Sequence, residues 1–214
     1  GTGAATGTAG VSNIAAVIGG AGNDTLVGAD TGNTWTVTGE NAGDVAGVAF
    51  SNIENLSGGA GADTFSFGGG SVSGVIDGGL GNDTLFGTDI ANTWAIAGSN
   101  AGAVNGQAFT GIDNLAGGSD EDEFVFEDGA DISGTISGGS GYDTLDYSAY
   151  TTSVCVNLDS CEATATGGMN DIQRILGGAG VDTLYGLKEN TIWTISGENA
   201  GSAGAVTFSG LENL

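Results

Sequence analysis

The chain has 214 residues, with 26 acids against two bases (Arg174 and Lys188) and no histidine, for a formal net charge of −24. Two cations cannot neutralise a run of phosphates, so nucleic acid is excluded as a partner, and an anionic membrane surface is disfavoured for the same reason. The 44 glycines lack the every-third-residue period of collagen, and a 39% apolar content is too high for a disordered linker.

Residues 1–18 read as the tail of an earlier repeat. GGAGNDTL at 19–26 opens a first superunit, 19–77, which carries NTWTVTGENAG (33–43), AFSNIENL (49–56) and a second phrase, GGAGADTF (58–65). GGLGNDTL at 78–85 opens a second superunit, 78–137, with NTWAIAGSNAG (92–102), AFTGIDNL (108–115) and a degenerate phrase, GGSDEDEF (117–124). A variant unit, 138–176, begins with GGSGYDTL (138–145) but replaces the Trp segment with TTSVCVNL. The partial superunit 177–214 contains GGAGVDTL (177–184), NTIWTISGENAG (190–201) and TFSGLENL (207–214). The text starts in mid-repeat and stops where the pattern next calls for Gly-Gly. It reads as a segment of a longer array, or as a subunit whose bare strand edges invite end-to-end addition.

The phrases start 39, 20, 39, 21 and 39 residues apart, so the chain counts in units of about 20 residues within a superrepeat of about 60. Short alternating runs such as TWTVT, TFSF and EFVFE are strand text, and no segment keeps a helical period. The expected fold is all-β: a parallel β-solenoid of about 20 residues per turn and 10–11 turns, a rod about 50 Å long at a strand spacing of about 4.8 Å. In that register four apolar files are predicted. They are Trp35, Trp94 and Trp193; Phe50, Phe109, Met169 and Phe208 with Val11; Ile53, Ile112, Ile172 and Leu211 with Ile14; and Leu26, Phe65, Leu85, Phe124, Leu145 and Leu184. Core is the preferred reading of the aromatic files over an aromatic ligand stripe.

The phrases resemble the G-G-x-G-x-D-x-U-x nonapeptide of the RTX (haemolysin-type) calcium-binding repeat family, in an interspersed and degenerate form, as in large bacterial surface repeat proteins. Five copies match its first six residues: 19–24, 58–63, 78–83, 138–143 and 177–182. The resemblance implies Ca²⁺ held at glycine-rich corners by carbonyls and the Asp carboxylate, which suits a cation that takes six to eight oxygens. True RTX repeats run in tandem, whereas here each phrase is followed by different text. Only 58–63 with 78–83 and 117–122 with 138–143 fall on consecutive turns, so Asp63, Asp83, Asp122 and Asp143 are the best metal candidates. Asp24, Asp182, Asp77 and Asp120 rank below them. The other reading of an Asp in such a corner is an Asx-turn that accepts backbone N–H groups. Asn41, Asn100 and Asn199 are candidates for a similar metal-free cap.

Cys155 and Cys161, six apart, cannot make a Cys/His zinc site without histidine. They are read either as a local disulfide, which would place the chain in an oxidising extracellular setting, or as two unpaired residues. No run approaches 18 apolar residues and no signal peptide is visible. Without histidine and with two bases the chain is not expected to be an enzyme. The expected role is an extracellular, secreted or cell-surface structural segment of a fibre, adhesin or matrix, self-associating end to end. The competing expectation is a calcium-dependent glycan- or surface-binding module of a larger secreted protein.

Overall fold

In a computed structural model, which describes residues 14–188 and 190–214, the chain is all strand, with 24 short strands and no helix among the described residues. They form a twelve-stranded sheet, a nine-stranded sheet and a three-stranded sheet. Most neighbours pair in parallel and in register, one coil to the next: Trp35 with Phe65, Phe65 with Leu85, Leu85 with Leu115, Leu115 with Ile136. The parallel β-solenoid is therefore the observed fold. Alternation decides what is buried. In Thr93–Gly98, Trp94 and Ile96 point inward and are fully buried, while Thr93 and Ala95 face out. One contiguous apolar core runs through the stack, from Trp35 and Phe50 to Phe208 and Leu211.

The turn length differs from the 20-residue count. There are about six coils of roughly 30 residues. A bare coil of 20 residues does exist, linking Asp63 to Asp83. A second, of 21 residues, links Asp122 to Asp143. Elsewhere about ten further residues are taken up by an antiparallel meander. Thr34–Gly39 turns back along Ala42–Val45, which turns again into Val48–Ser51. Thr93–Gly98, Ala101–Val104 and Gln107–Thr110 repeat it, as do Trp193–Gly197, Ala200–Ala203 and Val206–Ser209. The Trp segment followed by GENAG or GSNAG is thus the first arm of a meander, not a rung of its own. The sharp reversal needs a left-handed residue, and Asn41, Asn100 and Asn199 supply it with φ of 51–52°.

The 39-residue interval follows. It is not two turns but one coil of 30 residues plus about half a bare one; the coil carries a meander in the first two intervals and the Cys155–Ala163 hairpin in the third. Leu26 stacks on Leu56, and Phe65 then lies on the other long sheet. Each long interval moves the phrase to a new corner of the solenoid, so the predicted files are redistributed. The three tryptophans do not stack on one another. Trp35 and Trp94 are instead covered by Phe65 and Phe124, with ring centroids 5.6 Å apart in each pair. Leu26 joins Leu56 and Ile76, whereas Phe124 and Leu145 join Trp94 and Ile175. Val11 and most of the leading partial unit lie outside the described residues.

Candidate functional site: the carboxylate ladders at the corners

Each phrase makes a corner before a strand, and its Asp reaches across to the neighbouring coil. The Asn33 N–H donates to Asp63 Oδ1 (2.6 Å), Asp63 N–H to Asp83 Oδ1 (2.7 Å), and Asp83 N–H to Asp113 Oδ2 (2.8 Å). A second ladder runs from Asn92 N–H to Asp122 Oδ1 (2.8 Å), Asp122 N–H to Asp143 Oδ1 (2.8 Å) and Asp143 N–H to Gln173 Oε1 (2.6 Å). Shorter ladders join Asp24 N–H to Glu54 Oε2 (2.8 Å), Val154 N–H to Asp182 Oδ1 (2.7 Å) and Asp182 N–H to Glu212 Oε2 (2.7 Å). A carboxylate, or at Gln173 a neutral amide oxygen, thus satisfies a corner N–H that the parallel sheet leaves unpaired. The side chain spans two coils, which goes beyond the local Asx-turn.

The glycines follow from this geometry. A Cβ on Gly58 would collide with both Asp63 Oδ2 and the Gly78 carbonyl. A Cβ on Gly117 would meet Asp122 Oδ2 and the Gly138 carbonyl in the same way. At the second phrase position Gly59, Gly79, Gly118 and Gly139 have φ between 92° and 120°, a region that side chains rarely adopt.

Two kinds of corner emerge. At Asp24 and Asp182 the second carboxylate oxygen accepts a hydrogen bond from the second glycine, Gly20 N–H (2.6 Å) or Gly178 N–H (2.8 Å). At Asp63, Asp83, Asp122 and Asp143 the second glycine is left-handed, and each Oδ2 is buried with no hydrogen-bond partner. These are the four residues singled out from spacing, and the structure brings them together as Asp63 on Asp83 and Asp122 on Asp143. Burial holds the carboxyls of Asp83, Asp122 and Asp143 above their ordinary range. Hydrogen bonds from the ladder oppose that shift, and neighbouring acids reinforce it, Asp63, Asp113 and Asp77 for Asp83 and Asp143 and Asp120 for Asp122. Asp77 and Asp120 otherwise stay at the rim. Asp77 Oδ1 accepts a weak bond from Gly79 N–H (3.2 Å), and Asp120 is itself left-handed, with φ of 68°.

A bare buried carboxylate oxygen is costly until a proton or a cation neutralises it. No group of three or more His, Cys, Asp or Glu side chains that could hold a metal ion forms among the described residues. A calcium ion at a paired corner would have two carboxylates there, and the RTX resemblance implies main-chain carbonyls for its remaining oxygens.

Two of the three asparagines cap a neighbouring coil. Asn41 Oδ1 accepts the Ser73 N–H (2.7 Å) and Asn100 Oδ1 the Ser133 N–H (2.7 Å), while Asn199 Nδ2 donates to Glu212 Oε1 (2.8 Å). The cysteine pairing is corrected: both cysteines are free and exposed. Cys155–Asn157 pairs antiparallel with Glu162–Ala163, so Asn157 faces Glu162 and Cys161 sits in the turn beyond. Cys155 lies at the opposite end of this hairpin, bonded to Thr164 (2.9 Å).

Sequence reading missed the ladder partners Asn33, Asn92, Glu54, Asp113, Gln173 and Glu212. Their signal is present: for four of them an acid or amide follows the Ile or Leu of SNIENL, TGIDNL, NDIQRIL and SGLENL, thirty residues after a phrase Asp, and Asn33 and Asn92 open the NTW segments thirty residues before Asp63 and Asp122. No protein-family model matches the sequence, and a search of curated proteins finds no match.

Proposed function

We propose that this chain is a non-enzymatic structural segment, a stiff solenoid of an extracellular fibre, adhesin stalk or matrix, stabilised by Ca²⁺ at the paired corners. The observation that carries this reading is the continuity of the scaffold: a twelve-stranded and a nine-stranded sheet run along the stack, pinned coil to coil by the corner ladders. Side chains that stack over many coils give length and bending stiffness, not a deep enclosed site. The high negative charge keeps such a rod solvated, and the RTX-like phrases favour a secreted bacterial setting. Electron microscopy of the purified chain in calcium is the test. Uniform rods that lengthen with concentration are expected, and compact monomers at every concentration would overturn the reading.

A second reading, glycan binding, is favoured by one observation. Tyr142, Glu121, Glu123 and Arg174 line an open groove of about 250 Å³, and Tyr142 is 42% exposed. An aromatic face flanked by acids and a guanidinium suits a sugar ring and its hydroxyls. Glycan-array signal lost in Tyr142→Ala would support it, and equal signal in parent and variant would remove it.

A further inference from the structure

The tip of the second meander carries the chain's only Asn-Gly pair, Asn105-Gly106. These two exposed residues form the turn between Ala101–Val104 and Gln107–Thr110, with φ of 48° and 85°. Positive φ at both places favours Asn-Gly in a two-residue hairpin turn. The first meander nevertheless makes the same turn without an asparagine, through Ala46 and Gly47 with φ of 51° and 85°. In the third meander Gly204 stands at that place, with φ of 62°. What sets Asn105 apart is its side chain.

Two hydrogen bonds orient that side chain. Asn105 Oδ1 accepts the Thr93 N–H (2.9 Å), and Asn105 Nδ2 donates to Asn92 Oδ1 (2.9 Å). A cleft of about 120 Å³, lined also by Thr88, Asn92 and Gln107, opens beside it and gives water room. The next nitrogen along the chain is unhindered, since nothing lies within 4 Å of a Cβ built on Gly106. It is also unheld. In the first meander the Gly47 N–H donates to Asp44 Oδ1 (2.8 Å). Ala103 takes the place of Asp44 in the second, and the Gly106 N–H has no acceptor among the described residues.

The geometry points to Asn105 as a site of spontaneous modification, deamidation to aspartate and isoaspartate. The Gly106 nitrogen adds to the Asn105 side-chain carbonyl carbon, while the Thr93 N–H stabilises the charge that gathers on Oδ1. Ring closure requires Asn105 to rotate about ψ, which an exposed tip with no bond on Gly106 N–H permits. The bond from that carbon to Nδ2 breaks, and ammonia leaves with the proton given up by Gly106. Water then opens the cyclic imide at either carbonyl. Breaking the new bond leaves aspartate; breaking the old main-chain bond leaves isoaspartate, whose backbone is one methylene longer. Nothing is oxidised or reduced, and water is the sole co-reactant. The product has one more negative charge and no donor for Asn92 Oδ1. Asn92 Nδ2 in turn donates to Asp122 Oδ1 (2.6 Å), so the change acts one side chain away from a paired corner. The isoaspartate form also displaces Val104 from its pairing with Gln107. The site does not depend on the fibre reading.

Incubation of the full 214-residue chain at neutral and mildly alkaline pH, followed by peptide mapping, is the test. Cleavage after Trp94 and Phe109 yields one fragment holding both Asn100 and Asn105. Asn105 is expected to convert to a mixture of aspartate and isoaspartate, faster at the higher pH, with one equivalent of ammonia released. Asn100, which precedes alanine, is expected to stay intact. Asn105→Ala, the residue of the first meander at this place, should fold and release none. Ala103→Asp restores the acceptor that Gly47 has and is expected to slow conversion about fivefold, the effect of one ordinary hydrogen bond. The converted fraction, separated by its extra charge, is expected to melt below the parent. Asn105 that stays intact in the folded chain while it converts in the urea-unfolded chain would overturn the proposal, because the turn would then protect it. Conversion of Asn100 at the same rate, or an unchanged rate in Ala103→Asp, would also overturn it.

Discussion

At the scale of single residues, the phrase works because its first glycine and its aspartate share one space. Gly117→Ala would drive a Cβ into the Gly138 carbonyl, part of the neighbouring coil's backbone, which cannot swing away. A loss of roughly 1–3 kcal/mol is expected, a fall of several degrees in Tm by calorimetry. Gly22→Ala is the control, since nothing lies within 4 Å of its Cβ, and it should stay within about 0.5 kcal/mol of the parent. The aspartates make a separate prediction about pH. Burial raises the carboxyls of Asp83, Asp122 and Asp143 in the folded state, so the folded chain holds protons there that the unfolded chain releases. Stability from these groups is present at low pH and is lost as pH rises through the folded values. In metal-free buffer Tm should fall as pH rises above the ordinary carboxylate value of about 4. Asp128 and Asp159 act in the opposite sense. Hydrogen bonds from Thr151 and from Lys188 hold their carboxyls down, and the stability they lend is lost only as pH falls through those lower values. Asp143→Asn keeps an oxygen for the Asp122 N–H and deletes the buried charge, so it should leave Tm at pH 7.5 equal or higher and flatten the pH slope. A lower Tm for Asp143→Asn at pH 7.5 without metal would show that the charge itself is used.

At the scale of elements, the molecule is built from a bare coil, a coil with a meander and one variant coil with the Cys155–Ala163 hairpin, and the difference between the first two explains what the sequence disclosed. Phrase corners and strand alternation were legible because each depends on local chemistry: glycine where a Cβ collides, Asp where an N–H needs an acceptor, Trp and Ile on alternate residues. Stacking of Asp63 on Asp83 and of Asp122 on Asp143 was legible too, because a bare coil leaves sequence spacing equal to coil length. The meander was not legible by counting. NTWTVTGENAG reads as strand and corner whether its chain goes on around the coil or doubles back, and only the left-handed asparagine and the antiparallel ladder after it decide. Reading it as a rung divided 39 residues into two equal turns and misplaced the aromatic files. The same asparagine is where the element is vulnerable. Asn100 holds φ of 51°, caps the Ser133 N–H (2.7 Å) and donates to Asp113 (2.9 Å) and Ser133 Oγ (2.9 Å). Asn100→Ala loses all three bonds and strains the turn, for an expected cost of about 2–3 kcal/mol by denaturant titration. Asn100→Gly keeps the turn but not the cap and should cost about half as much. Equal losses in the two variants would place the whole effect in the hydrogen bonds and none in the backbone.

At the scale of the whole molecule, 26 acids wrap a narrow rod, and the ladders collect two of them in adjacent coils at each paired corner. Two kinds of relief are available, and they can be separated. Monovalent salt screens every exposed pair alike and reaches buried groups weakly, so raising NaCl should raise Tm smoothly with no dependence on Asp63 or Asp83. A divalent cation at a paired corner acts by binding the folded state, which stabilises it by RT ln(1 + [L]/Kd), about 2.7 kcal/mol at a concentration a hundred times Kd. CaCl₂ should therefore raise Tm beyond NaCl of matched ionic strength, EDTA should return it, and Mg²⁺, which keeps its waters and demands near-octahedral geometry, should do less. The increment should shrink in Asp63→Asn/Asp83→Asn and vanish when Asp122→Asn/Asp143→Asn is added. It should persist in Asp24→Asn/Asp182→Asn, where glycine N–H groups already occupy the second carboxylate oxygen. If calcium takes the bare oxygens of Asp83, Asp122 and Asp143, protons compete with it there, so the calcium increment should fall as pH is lowered. An increment that ignores both pH and the paired aspartates would assign it to diffuse surface charge and leave the corners to hydrogen bonds alone.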